Sequence, residues 1–190
     1  MMDVNIILFE NFETLDAFGP AEILGRIGEY NLRYFSASGG SITSAQKTAI
    51  ITEPVSTADN KGILVIPGGQ GTRLLVNDTS FLDMLKEMAG EACFCLAVCT
   101  GSALLAKCGV LDHKKATSNK RAMEWVKSVN DKVNWVNEAR WVTDGKYYTS
   151  SGVAAGMDMT LGFVCDRFGR SRAEEIAEHM EYVWNDDYNK

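Results

Sequence analysis

The residue best placed to do chemistry is Cys99, because of where it falls in the stretch from Ala92 to Leu111, ACFCLAVCTGSALLAKCGVL. An apolar, strand-like run ends at Val98, Cys99-Thr100-Gly101 follows, and Ser102 to Lys107 reads as a helix ended at Gly109. A turn of this kind has the mechanics of a nucleophile elbow. A tight bend lifts the side chain out of the sheet, and the next helix begins with unpaired N–H groups and a positive dipole end. That field favours thiolate over thiol. Gly101 and Ser102 are small, as a sharply bent backbone that admits a ligand requires. Free cysteine is also a common buried hydrophobe. Cys93, Cys95, Cys108 and Cys165 sit in apolar runs and fit that description, whereas the context of Cys99 does not.

Two further groups could serve this thiol. Asp16 follows the first apolar run and faces the crevice where open α/β sheets bind ligands; read by itself, it is more readily a helix-capping Asp. Gly62 to Gly71 gives a buried strand running straight into Gly68, Gly69 and Gln70, where backbone N–H groups can approach a ligand. No Gly-Lys-Ser/Thr follows, so this is a weak phosphate loop and a better oxyanion donor beside Cys99.

The elements that must position these groups alternate strand and helix. Val4 to Phe9 and Asn31 to Ser36 read as strands, with a helical pattern after Asp16 between them. Gly39 to Asp59 reads as an irregular hairpin with short pieces near Ile42 and Ile50. Asp78 to Ala89 is a helix and Phe94 to Val98 the central strand. Asp112 to Lys115 is a turn, Ala116 to Ser118 a short strand and Lys120 to Val129 a helix. Strands follow at Val133 to Trp135, Arg140 to Val142 and Lys146 to Thr149, the last two joined at Asp144-Gly145. Val153 to Phe168 has helical periodicity. Ser171 is expected to cap a last helix, Arg172 to Trp184, with Ile176, Ala177, Met180, Val183 and Trp184 inward. This alternation predicts a parallel sheet covered on both faces.

Composition narrows the function. With 190 residues, 46% of them hydrophobic, one domain over 1–190 is expected. A formal charge of −6 offers no basic footprint for nucleic acid or anionic membrane. The N-terminus lacks a basic export signal, and no run approaches the roughly 18 apolar residues of a membrane span. A cytoplasmic location follows. Five cysteines, an odd and scattered number, argue for reduced thiols. No metal is expected: along an extended strand Cys93 and Cys99 stand roughly 20 Å apart, too far to share an ion.

Several stretches together resemble the ThiJ/PfpI superfamily, whose fold is like that of class I glutamine amidotransferases. They are FETLDAFGPAEIL, LVIPGGQG, AVCTGSALLAKCGVLDHKKAT, YYTSSGVAAGMDMTLGFV and HMEYVW, and the match runs from about residue 4 to 186. Asp instead of the more usual Glu at position 16, with V-C-T-G at the elbow, looks most like the isonitrile hydratase branch. A similar domain fronts some transcription regulators, but no helix-turn-helix extension is expected here. The resemblance implies an α/β fold, a three-layer α/β/α sandwich with a mostly parallel, flavodoxin-like sheet and a nucleophile elbow. It also implies a homodimer that acts on a small electrophilic substrate without a cofactor.

In site residues, the resemblance implies that Cys99 is the nucleophile, that Asp16 lies beside its sulfur, and that Thr100 and the backbone around Gly69 and Gln70 line the pocket. Gly68 and Asn119 are placed in the same pocket. Relatives that cleave amides or handle glyoxals often carry a His after the Ala-Thr pair, where this chain has Ala116-Thr117-Ser118-Asn119. A Cys–His dyad is therefore not expected, and His113 and His179 read as surface residues. Amide cleavage needs a proton donor for a poor leaving amine; hydration of an isocyanide does not. The function expected is conversion of an isocyanide and water to an N-substituted formamide. An amidase, protease or glyoxalase-like hydrolase, a redox-sensing stress protein, and a purely structural, slow, high-pKa thiol stay open as alternatives.

Overall fold

The computed structural model describes residues 1–187. The strands are β1 (Met2–Ile7), β2 (Tyr30–Ser36), β3 (Gly40–Thr43), β4 (Ala49–Pro54), β5 (Ile63–Ile66), β6 (Phe94–Val98), β7 (Lys115–Ala116), β8 (Asn134–Trp135), β9 (Trp141–Asp144) and β10 (Tyr147–Ser150). The helices are α1 (Thr14–Leu24), α2 (Thr72–Leu75), α3 (Thr79–Glu91), α4 (Gly101–Lys107), α5 (Met123–Val129), α6 (Ala155–Phe168) and α7 (Arg170–His179). Eight strands form one sheet in the order β3-β4-β2-β1-β5-β6-β10-β9, and β7 pairs with β8 apart from it.

From β4 to β10 every neighbouring pair is parallel, and antiparallel β3 and β9 close the two edges. The run β2-β1-β5-β6-β10 has the flavodoxin-like order, with its switch point between β1 and β5. The residues explain why these strands are central: all four of β5 and the last four of β1 and of β6 are buried, and such unbroken apolar runs suit strands covered on both faces. Helices α1, α6 and α7 pack together on one face, and α2, α3, α4 and α5 on the other, giving the three-layer sandwich. Ile23, Ile27, Leu161, Val164 and Ile176 fill the space between the first group of helices.

Most expected elements lie where patterning put them, including the hairpin into β10, where Gly145 takes φ +61°. Asp78 caps α3 by accepting from the Phe81 N–H at 3.0 Å. The last helix differs. Gly169, at φ +87°, ends α6 and starts α7, so Ser171 is inside the helix and is not its cap. The helix stops at His179, and Val183 is exposed. The chain after it is held by the side chain of Asp158, which accepts from Arg140 Nε (2.7 Å), Tyr182 Oη (3.0 Å) and Asn185 N (2.9 Å). Cys95 and Cys108 are buried as expected, but Cys93, one residue ahead of β6, is exposed, and Cys165 is half-buried. Among the described residues no helix is long and apolar enough to cross a membrane.

Candidate active site

The carboxyl ends of β1, β5, β6 and β10 converge at Cys99. Its φ of +57° is the left-handed conformation that β-carbon-bearing residues rarely adopt, and neighbouring groups hold it there. The Cys99 N–H donates to Ser150 O at the end of β10 (3.1 Å), and its carbonyl accepts from Ser102 Oγ (2.9 Å) and Ser118 Oγ (2.8 Å). Gly101 lets the elbow cross β5, since a Cβ there would lie 2.4 Å from Ile66 O. The bend expected from the sequence is thus a nucleophile elbow in its geometry.

Asp16 lies in the first turn of α1, fully buried, and does not cap the helix. Gln46, from the loop after β3, takes that role: its Oε1 accepts from Thr14 N (2.9 Å) while its Nε2 donates to Glu13 (2.8 Å). The start of α1 is stitched to the loop after β5 by a Phe12–Gly69 bridge and by Glu13 N donating to Gly68 O (2.8 Å). Asp16 Oδ2 completes the stitch by accepting from Gly68 N at 3.0 Å. A Cβ at Gly68 would meet Thr100 N at 2.6 Å and Asp16 Oδ2 at 2.9 Å, so only glycine lets the three segments meet.

Thr100 Oγ1 accepts from Gly69 N (3.0 Å) and from Thr72 Oγ1 (3.1 Å). The N–H groups of Gly68 and Gly69 are therefore both engaged, one fixing Asp16 and the other Thr100. They position the site and are not free oxyanion donors. Asn119 stands where the dyad His of relatives would be expected. Its Oδ1 accepts from Arg121 N (2.9 Å), which orients the amide so that Nδ2 donates to Cys99 Sγ at 3.3 Å. His113 and His179 are exposed, as expected.

Burial pushes the Asp16 carboxyl up to about 7 against the opposing pull of the Gly68 N–H, with Glu13 adding to the rise and Cys99 opposing it. Cys99 acts on that carboxyl, yet no group meets Oδ1 with ordinary hydrogen-bond geometry among the described residues. Burial likewise pushes the Cys99 thiol up to about 12, reinforced by the Asp16 charge and only partly offset by Asn119 and Thr100. Desolvation beside an acid thus opposes the thiolate that the dipole of the seven-residue helix α4 favours.

Above the thiol opens a cleft of about 480 Å³, lined among others by Glu13, Gln70, Arg73, Asn119, Arg121 and Val153. Gln70 and Asn119 were expected there. Arg73 and Arg121 lie in the segments 70–75 and 119–125 whose side chains the sequence could not place, because a four-residue helix and a 3-10 turn carry no periodicity that shows a facing.

Residues 2–165 match the model described as the DJ-1/PfpI family. An isonitrile hydratase of Pseudomonas putida is 26% identical over 96% of this chain and 79% of its own length. Protein DJ-1alpha of Drosophila melanogaster is 26% identical over 70% of this chain and 60% of its own. Among solved structures, a THiJ/PfpI family protein from Pseudomonas syringae superposes with a TM-score of 0.88 at 26% identity, covering 97% of this chain and 76% of that one. Drosophila melanogaster DJ-1beta superposes with a TM-score of 0.80 at 20% identity, covering 96% and 99%.

Proposed function

This chain belongs to the DJ-1/PfpI family, and from that premise we propose that it is a cysteine-dependent enzyme hydrating a small electrophile, an isocyanide in the first instance. The observation that carries the reading is a thiol on a left-handed elbow beside a buried carboxyl poised near neutrality. A group with that pKa is a well-matched general base. Asp16, as carboxylate, accepts the S–H proton while sulfur bonds to the terminal carbon of R–N≡C, and then delivers that proton to the same carbon. The product is the thioimidate Cys99–S–CH=N–R. Asp16 next takes a proton from water as its oxygen attacks this carbon, and passes the proton to nitrogen. Collapse of Cys99–S–CH(OH)–NH–R breaks the C–S bond, returns the hydroxyl proton to sulfur through Asp16, and releases R–NH–CHO. No atom beyond R–N≡C and H₂O is consumed, and no metal or cofactor is invoked. The Asn119 amide supports the sulfur where an amidase would need an acid for a leaving amine. The reading takes the working form to be a homodimer in the cytoplasm.

The test is formamide production from an aryl isocyanide. Activity disappears in Cys99→Ala if sulfur is the nucleophile, and full activity in that variant excludes the mechanism. A second reading, redox sensing at Cys99, rests on the same thiol being oxidised with no turnover. The burial of the thiol, which opposes its ionisation, weighs against it, because oxidation runs through thiolate. Mass mapping after mild peroxide decides: a sensor requires Cys99 to oxidise ahead of exposed Cys93.

A further inference from the structure

Two cations on the walls of the Cys99 cleft make no ion pair among the described residues. Arg26, Arg33, Arg140, Arg170 and Arg172 each pair with an acid. Arg73 and Arg121 make no ion pair or side-chain hydrogen bond with any described residue. The Arg73 guanidinium instead lies 3.5 Å from the centroid of the Trp125 ring, which fixes its plane and leaves its N–H edges for a ligand. Glu13, the acid on the same cleft, accepts from Gln46 Nε2 at one oxygen (2.8 Å) and keeps its charge, so two cations face one surface anion there. In a chain of net charge −6, the opening above the thiol is therefore locally cationic.

We propose that the cleft is built for a small electrophile that carries a carboxylate, held by Arg73 and Arg121 while its reactive carbon faces Cys99. The planar fork of a stacked arginine matches a carboxylate edge, and a second arginine from the Asn119 turn lines the same cleft. A volume of about 480 Å³ suits a substrate of this size. The proposal rests on the reading of Cys99 as the attacking group.

Alkylation of the intact protein by iodoacetate and by its neutral counterpart iodoacetamide tests it, with each site located by mass spectrometry and exposed Cys93 as internal control. Charge selection predicts an iodoacetate-to-iodoacetamide rate ratio at Cys99 about tenfold above that at Cys93, as one charge-assisted contact would give. Arg73→Gln and Arg121→Gln should each lower that ratio severalfold, and added salt should lower it too. Equal ratios at the two cysteines, or a Cys99 ratio that neither variant moves, overturn the proposal. Failure of both reagents at Cys99 instead sinks the nucleophile reading. The carboxylate site is then decided by NMR of the Arg73 and Arg121 Nε–H groups: movement with propionate but not propionamide upholds it, and no movement rejects it.

Discussion

Asp16 and Asp158 are both fully buried acids near the start of a helix, and they are treated in opposite ways. Asp158 is surrounded by donors: Arg140, the Tyr182 hydroxyl and the Asn185 N–H all reach its carboxylate. Asp16 receives one backbone N–H, its Oδ1 is left without a partner among the described residues, and burial lifts it to about 7. A fold that can satisfy a buried acid so fully, and does not do so at Asp16, keeps that carboxyl in a state where a proton can come and go.

Breaking the contrast at its catalytic end gives the largest effect. Asp16→Asn removes the base and should cut isocyanide turnover by about 10²- to 10⁴-fold, measured as formamide release. Breaking it at the structural end acts on folding. Asp158→Asn takes the charge from a buried pair and should cost about 3 kcal/mol, read by denaturant unfolding, while the Cys99 site keeps its reactivity.

The acids should also part in how stability responds to pH. Asp16 binds its proton more tightly folded than unfolded, so its contribution is complete below its ordinary value of 3.8 and is lost as pH rises to about 7. The loss is at most about 4 kcal/mol. In Asp16→Asn that decline should flatten, leaving the variant more stable than the parent above neutrality by thermal melting. Smallest is Asn119→Ala, which deletes one N–H donor to sulfur and should slow turnover by roughly tenfold with little change in melting temperature.

Much of this was legible in the chain. Continuous apolar runs followed by glycine or Cys-Thr-Gly announce β5 and β6 with their loops, because strands buried on both faces tolerate little else. Asp16 was ambiguous from local pattern, since its burial is decided by Gly68, 52 residues away. The Arg73 and Arg121 walls and the Asp158 latch were not legible, because each depends on contacts between short or distant segments. Ser171 was a sound local cap signal, but Gly169 at positive φ had already turned the chain. The field at Cys99 was half legible for a related reason: a helix start can be read from sequence, whereas the desolvation that opposes it belongs to the packed site.

The central claim is that Asp16 takes the proton of Cys99 during attack. Its most direct test is the rate of Cys99 alkylation by iodoacetamide from about pH 5 to 9 in the parent and in Asp16→Asn. The account predicts a step in the parent with a midpoint of about 7, absent from the variant. Superimposable profiles, or a step that survives in Asp16→Asn, would contradict it.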